Sequence, residues 1–170
     1  MKAMQIVSFD GPASGLRYQD APTPEPGPGQ IAVDVDHAGV GYVEALFTEG
    51  LVPIDLPWTP GLEVSGRVRA FGDGVDGYRV GDAVVALTIT GGGGYGQVAV
   101  APAELVAPLP AGLDPVLAAA VPANSTTALV ALEEIAHLRR GESVLVHAAA
   151  GGLGSQMGQV ARLLGASRLV

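Results

Sequence analysis

A mixed α and β fold is predicted for this chain, and three observations predict it. Up to about residue 115, short β-prone runs alternate with clusters of Gly and Pro. Beyond that point the composition shifts to Ala and Leu at helical spacing. Within this second stretch an apolar strand passes through a glycine cluster into a helix, the opening of a parallel α/β domain. The expected domains are residues 1–115, a barrel-like all-β module, and residues 116–170, the start of the α/β domain.

The elements follow in order. A first strand is expected at 4–9. Residues 21–30, APTPEPGPGQ, form a loop, because four prolines fix φ and supply no N–H to a ladder. Residues 31–38 alternate, with Ile31, Val33 and Val35 on one face and Asp34 and Asp36 on the other. Further strands are expected at 63–71, 82–87, 96–100 and 105–108, a spacing that suits a barrel. Gly77 and the turn at 80–82 build the fold, with Asp82 making a local hydrogen bond. The run 91–94 resembles a phosphate loop, but no helix follows it, so it reads as a flexible hairpin or cleft loop. Helices are expected over 116–121 and 126–138. Ser125 caps the second, and Gly141 stops it behind Arg139 and Arg140. A strand at 143–147, a helix at 153–164 and a strand from 167 complete the series. The α/β domain is thus expected to be cut off as its second strand begins.

Composition narrows the function. A chain of 170 residues, 48% hydrophobic and 15% charged, can bury a core and is not disordered. The net charge of -8, with scattered basic residues, repels phosphate backbones, so no nucleic acid partner is expected. There is no cysteine, which removes disulfides, thiolate nucleophiles and Cys-based zinc sites. That is compatible with a reducing cytoplasm, the expected location. Mean hydropathy is +0.37, yet no apolar run reaches the roughly 20 residues of a spanning helix. The N-terminus carries no secretory pattern, and no membrane partner is expected.

The clearest chemistry lies in VLVHAAAGGLGSQMGQVARLLGA, residues 144–166. Gly151, Gly152 and Gly154 lack side chains, so backbone can approach a pyrophosphate, and the helix that follows offers free N–H donors and a positive dipole end. Ala149 replaces the first Gly of the G-x-G-x-x-G fingerprint, and no Gly-Lys-Ser/Thr follows as in a Walker A loop. A dinucleotide is expected. The residue that would choose NAD or NADP belongs at or beyond the second strand, so both remain open on these residues.

In HAGVGYVEAL (37–46), WTPGLEVSGRV (58–68), GYRVGDAVVAL (77–87), GGYGQVAVAPAELV (93–106), VPANSTTALVAL (121–132) and GESVLVHAAAGGLG (141–154), the chain resembles the medium-chain dehydrogenase/reductase family. Specifically, it resembles the zinc-free quinone oxidoreductase, zeta-crystallin-like branch, over nearly all its residues. The resemblance implies a GroES-like β-barrel domain followed by the opening strand and helix of a Rossmann domain, truncated, since family enzymes are about twice as long. It implies substrate and nicotinamide between the two domains. The cofactor implied is NADPH, held through Ala150, Gly151, Gly152, Leu153 and Gly154, with Asn124 and Thr127 near the nicotinamide.

Zinc enzymes of the wider family ligate metal through two Cys and a Gly-His-Glu segment. Here that segment is Gly61-Leu62-Glu63, so no metal is expected. Hydride transfer without a Lewis acid suits a quinone or an α,β-unsaturated carbonyl. Where the branch usually has Gly-Val-Asn and an Asp three residues on, this chain has Gly39-Val40-Gly41 and Glu44. Tyr42, in the cleft segment, is a candidate hydrogen-bond or proton donor to the substrate carbonyl, and Asn124 is the second catalytic candidate. His37 and His137 read as surface residues, His147 as structural, Trp58 as core.

Two further readings compete with the quinone or enone reductase. Polyketide-type enoyl reductases share these motifs, so an enoyl thioester is an alternative substrate. The other is a non-catalytic truncated homologue acting as an interaction module. Half a Rossmann sheet exposes a parallel edge and an apolar face that includes residues 144–146, which predicts a homodimer or a completing chain.

Overall fold

The computed structural model describes residues 1–170 and has the mixed α and β fold expected. The chain divides into two compact units, Met1–Ala120 and Val121–Val170.

In the first unit, β1 (Lys2–Ile6) and β2 (Leu16–Asp20) form an antiparallel hairpin across the short helix α1 (Pro12–Gly15). Then come β3 (Gln30–Ala38), helix α2 (Tyr42–Thr48), β4 (Glu63–Phe71), β5 (Ala83–Leu87), β6 (Val98–Pro102), β7 (Val106–Pro108) and helix α3 (Pro115–Ala118). Strands β3 to β7 make one antiparallel sheet in the order β6-β3-β4-β5-β7. Period-two alternation drives it. Ile31, Val33, Val64, Val68 and Val84 are buried in one cluster, each worth roughly 1.5–3 kcal/mol. On the opposite face Asp34 meets Arg69 at 2.8 Å in solvent. Register shifts between Ala32 and Val33 and between Val35 and His37 bend β3 as a barrel wall requires.

Several expectations change here. The first strand lies at Lys2–Ile6 rather than 4–9, because its partner is β2, a strand not expected at all. The segment LRYQD exposes Arg17, Tyr18 and Asp20, so it carries no alternation to betray it. The run 91–94 is no loose hairpin. Gly93 N–H donates to Thr59 O (2.8 Å), Gly94 N–H to Gly61 O (3.1 Å) and Tyr95 N–H to Pro60 O (2.9 Å). Arg79 N–H donates to Asp82 Oδ2 at 2.8 Å, the turn bond expected there.

The helix expected at 116–121 is the shorter α3, Pro115–Ala118, and it lies in the first unit. Asp114 Oδ1 accepts from Val116 N–H (2.9 Å), and Ser65 Oγ donates to Pro115 O (2.7 Å).

The second unit opens with α4 (Pro122–Leu129), which widens into a π-helical turn at Val130–Ile135. Pro122 starts the helix at its first position, so Ser125 is not the cap; its hydroxyl instead donates to Gln156 Oε1 at 3.0 Å. The helix ends before 138 because His137 takes a left-handed φ of 51°. Strand β8 (Ser143–Val144), helix α5 (Gly152–Leu163) and strand β9 (Arg168–Leu169) follow, with β8 and β9 parallel. Hydrogen bonds from Val170 N–H to Val144 O and from Val146 N–H to Val170 O, both 2.9 Å, prolong that pairing. No helix is long and apolar enough to cross a membrane.

Candidate functional site

The second unit carries the glycine turn. Beyond β8, Ala148 takes a left-handed φ of 55°, and its carbonyl accepts from Gly151 N–H at 2.9 Å, closing a tight turn. Helix α5 then begins at Gly152, with Gly151 as an N-cap that offers no side chain. The N–H groups of Gly152, Leu153 and Gly154 therefore have no acceptor within the helix and no side-chain cap, and they sit at its positive end. A Cβ on Gly154 would run into the Ala148 carbonyl oxygen and lie 2.7 Å from Ala149 Cα. Gly154 is thus required for α5 to pack on the turn. Gly151 and Gly152 are exposed and have more room: a Cβ would meet Ala148 O at 3.3 Å and Asn124 Nδ2 at 3.2 Å respectively. Such a turn, built of small residues apart from Leu153 and rich in free donors, fits a pyrophosphate. Ala150 is exposed on the same turn.

Asn124 is brought to this turn, with its amide beside Gly152. Thr127 lies one turn further along α4, where its hydroxyl donates to Ala123 O (2.7 Å). His147 is exposed.

The first unit carries a cavity of about 140 Å³ between α1, α2 and the loop at 88–96. Helix α2 forms its wall. Gly41 N–H donates to Glu44 Oε2 at 2.9 Å, so a buried carboxylate satisfies the helix's first orphan donor. Thr48, also buried, donates to Ala45 O at 2.7 Å. Tyr95 closes the far side. Its backbone is held from both directions, by Pro60 O and by Met4 N–H, which donates to Tyr95 O at 2.9 Å. Gly61, at φ 96°, allows this approach, since a Cβ there would stand 2.7 Å from Tyr95 N and from its ring.

The Tyr95 hydroxyl is buried without a hydrogen-bond partner. Burial raises its pKa above the ordinary tyrosine range, and Glu44 and Glu63 push the same way. Tyr42 stands at the first position of α2, 80% exposed and outside the cavity wall. Leu62, at the ligand position of zinc enzymes, is buried and has no donor atom, and no three His, Cys, Asp or Glu side chains gather as a metal-binding group. Trp58 packs on Phe47 (ring centroids 4.7 Å apart), and its indole N–H donates to Gly91 O.

Sequence reasoning passed over Tyr95 and Glu44 as cavity residues. The available signal was one aromatic set within the glycines Gly91–Gly94 and Gly96. Its burial depends on a loop about 35 residues away, at Thr59–Gly61.

A sheet module of this form and a strand–glycine turn–helix unit define a medium-chain dehydrogenase/reductase, and residues 27–111 match the alcohol dehydrogenase GroES-like domain. The chain belongs to that family, in its quinone oxidoreductase branch. It is 37% identical over 167 residues to the quinone oxidoreductase of Rattus norvegicus, covering 97% of this chain and 50% of that protein. The human synaptic vesicle membrane protein VAT-1 homolog-like protein superimposes with a TM-score of 0.91 at 32% identity, over 99% of this chain and 60% of that one. A mycobacterial protein solved in complex with NADPH gives a TM-score of 0.89 at 34% identity, over 99% of this chain and 52% of that one. The chain thus spans about half the length of the quinone oxidoreductases it matches.

Proposed function

We propose that this chain supplies the substrate module and the pyrophosphate turn of an NADPH-dependent oxidoreductase that reduces a quinone or an α,β-unsaturated carbonyl without a metal. The observation that carries this reading is the turn at 148–154. Gly154 is required for packing, whereas Gly151 is exposed and a Cβ there would meet one atom, the Ala148 carbonyl oxygen at 3.3 Å, so its open face leaves room for close approach of a ligand. The N–H groups of Gly152, Leu153 and Gly154 would hold the pyrophosphate, with Ala150 and Gly151 lining its path. Asn124 and Thr127 would face the nicotinamide end. The chemistry that NADPH supplies when bound is hydride donation. A conjugated acceptor is already polarised and needs no Lewis acid. Water or Tyr42 would then protonate the reduced acceptor.

The test is fluorescence titration of the 17.1 kDa chain with NADPH and with NADH, followed by turnover assays on a quinone, an enone and an enoyl thioester. The expected result is binding that favours NADPH and is lost about tenfold or more in Gly151→Ala, with an unchanged melting temperature. Failure to bind either cofactor, both alone and with a separately supplied C-terminal half of a relative, would overturn the reading.

Exposure of Leu145 (63%), Leu163 (85%) and Val170 (59%) favours a second reading, association with another copy or a completing chain. Light scattering of the purified chain decides it. A concentration-independent monomer rules out the self-association half, and a monomer that recruits no separately supplied C-terminal half of a relative rules out the other.

A further inference from the structure

In the second unit, α4 packs against α5, and the Asn124 amide meets α5 at Gly152. Gly152 offers bare backbone there. With no side chain to interlock, that contact does not fix how α4 lies along α5, so the place of Asn124 needs a second restraint. The next residue supplies it: the Ser125 hydroxyl donates to Gln156 Oε1 at 3.0 Å. Gln156 stands four residues beyond Gly152 and shares its face of α5. Asn124, Ser125 and Gln156 are each half-buried, which shields the bond from water. The neighbouring polar side chains of α5 bond within their own helix. The Ser155 hydroxyl donates to Gly152 O (2.9 Å) and Gln159 Nε2 donates to Ser155 O (3.2 Å). Of these three, Gln156 is the one that reaches across to α4.

We propose that Gln156 is a positioning residue for the glycine turn: by holding Ser125 it fixes α4 against α5 and keeps the Asn124 amide over Gly152. Asn124 Nδ2 lies 3.2 Å from where a Cβ on Gly152 would stand, beside the free N–H groups at the start of α5. It adds a side-chain donor to that set. An amide held in place before a ligand arrives needs no ordering at binding, and that saving appears as affinity. The gain falls on the part of the ligand that Asn124 faces, the nicotinamide end, and not on the pyrophosphate held by the backbone. The role in binding rests on the reading of this turn as an NADPH site; the placing of Asn124 by Gln156 does not.

The chain has one asparagine, so labelling asparagine nitrogen gives a single side-chain amide to follow by NMR. In the ligand-free chain this amide should show a close contact with Gly152. Gln156→Leu and Ser125→Ala should each abolish the contact, and Gln156→Glu, which keeps an acceptor for the Ser125 hydroxyl, should restore it. Ser125→Ala, the milder change, carries the test if Gln156→Leu does not fold. Calorimetry then compares NADPH with 2′-phospho-ADP-ribose, which lacks the nicotinamide. The whole chain is used, with a separately supplied C-terminal half of a relative if NADPH binding requires it. We expect either variant to weaken NADPH about fivefold, the double variant no further, and 2′-phospho-ADP-ribose to bind all of them alike. In an Asn124→Ala background, Gln156→Leu should change nothing more.

An Asn124–Gly152 contact that survives both variants would overturn the proposal, as would its absence in Gln156→Glu. Equal losses for the two ligands would also sink it, because they mark a bond that only supports the fold. If the wild type binds no NADPH while the contact still depends on Gln156, the cofactor reading falls and the positioning stands. If NADPH binds and the contact is indifferent to Gln156, the positioning falls and the cofactor reading stands.

Discussion

In the first unit Ile31, Val64 and Val84 have no exposed surface, whereas in the second Leu163 is 85% and Leu145 63% exposed. The contrast follows from connectivity. Antiparallel neighbours joined by short loops cover one another with residues close in sequence. A parallel sheet is covered only when crossovers return on both faces, and here one helix, α5, crosses between β8 and β9. The two sites inherit this difference. The cavity of the first unit is clamped by backbone hydrogen bonds from three segments, while the glycine turn is held by α5 and by α4 beside it, through Asn124 and the Ser125–Gln156 bond.

The largest expected effect breaks the first unit. Gly61→Ala forces a Cβ to 2.7 Å from Gly94 Cα at a φ of 96°, and should cost roughly 3 kcal/mol or more by urea denaturation. A loss under about 1 kcal/mol would mean that the loop at 91–95 is not clamped as described.

Gly154→Ala comes next, at about 1–3 kcal/mol. Hydrogen exchange should show α5 losing protection while β3 and β4 keep theirs. Equal loss in both would mean that the units unfold together and the comparison fails.

Tyr95→Phe sharpens the comparison through pH. The folded Tyr95 holds its proton above the usual tyrosine pKa, whereas the unfolded chain releases it near pH ~10. Stability from this group is therefore complete below about pH 10 and lost as pH rises toward the folded value. Alkaline melting curves should lose part of their slope in Tyr95→Phe, and an identical slope would place the hydroxyl in water. The smallest effect is Leu163→Gln. At 85% exposure it should alter stability by less than about 0.5 kcal/mol while reducing any self-association seen by light scattering.

Legibility in the sequence followed the range of the interactions. Strand β4 was expected at 63–71 and is found there, because its ends and its alternation are local. The strand–glycine turn–helix was legible for the same reason: Gly151, Gly152 and Gly154 mark it within four residues. Ser125 misled, because a hydroxyl before a helical run looks like a cap whether or not Gln156 claims it. Helix α2 was read only as a cleft segment, since its cap is Glu44 reaching back to the Gly41 N–H.

The sequence by itself determined the fold class and the family, because alternation, turn glycines and motif order are written residue by residue. Only the tertiary structure decided that LRYQD is a strand and that the Tyr95 hydroxyl is buried without a partner. The first needs β1 as its mate, and the second needs residues 59–61 and Met4 to hold the tyrosine in place. Long-range hydrogen bonds and burial of this kind leave no periodic trace in the segment that receives them.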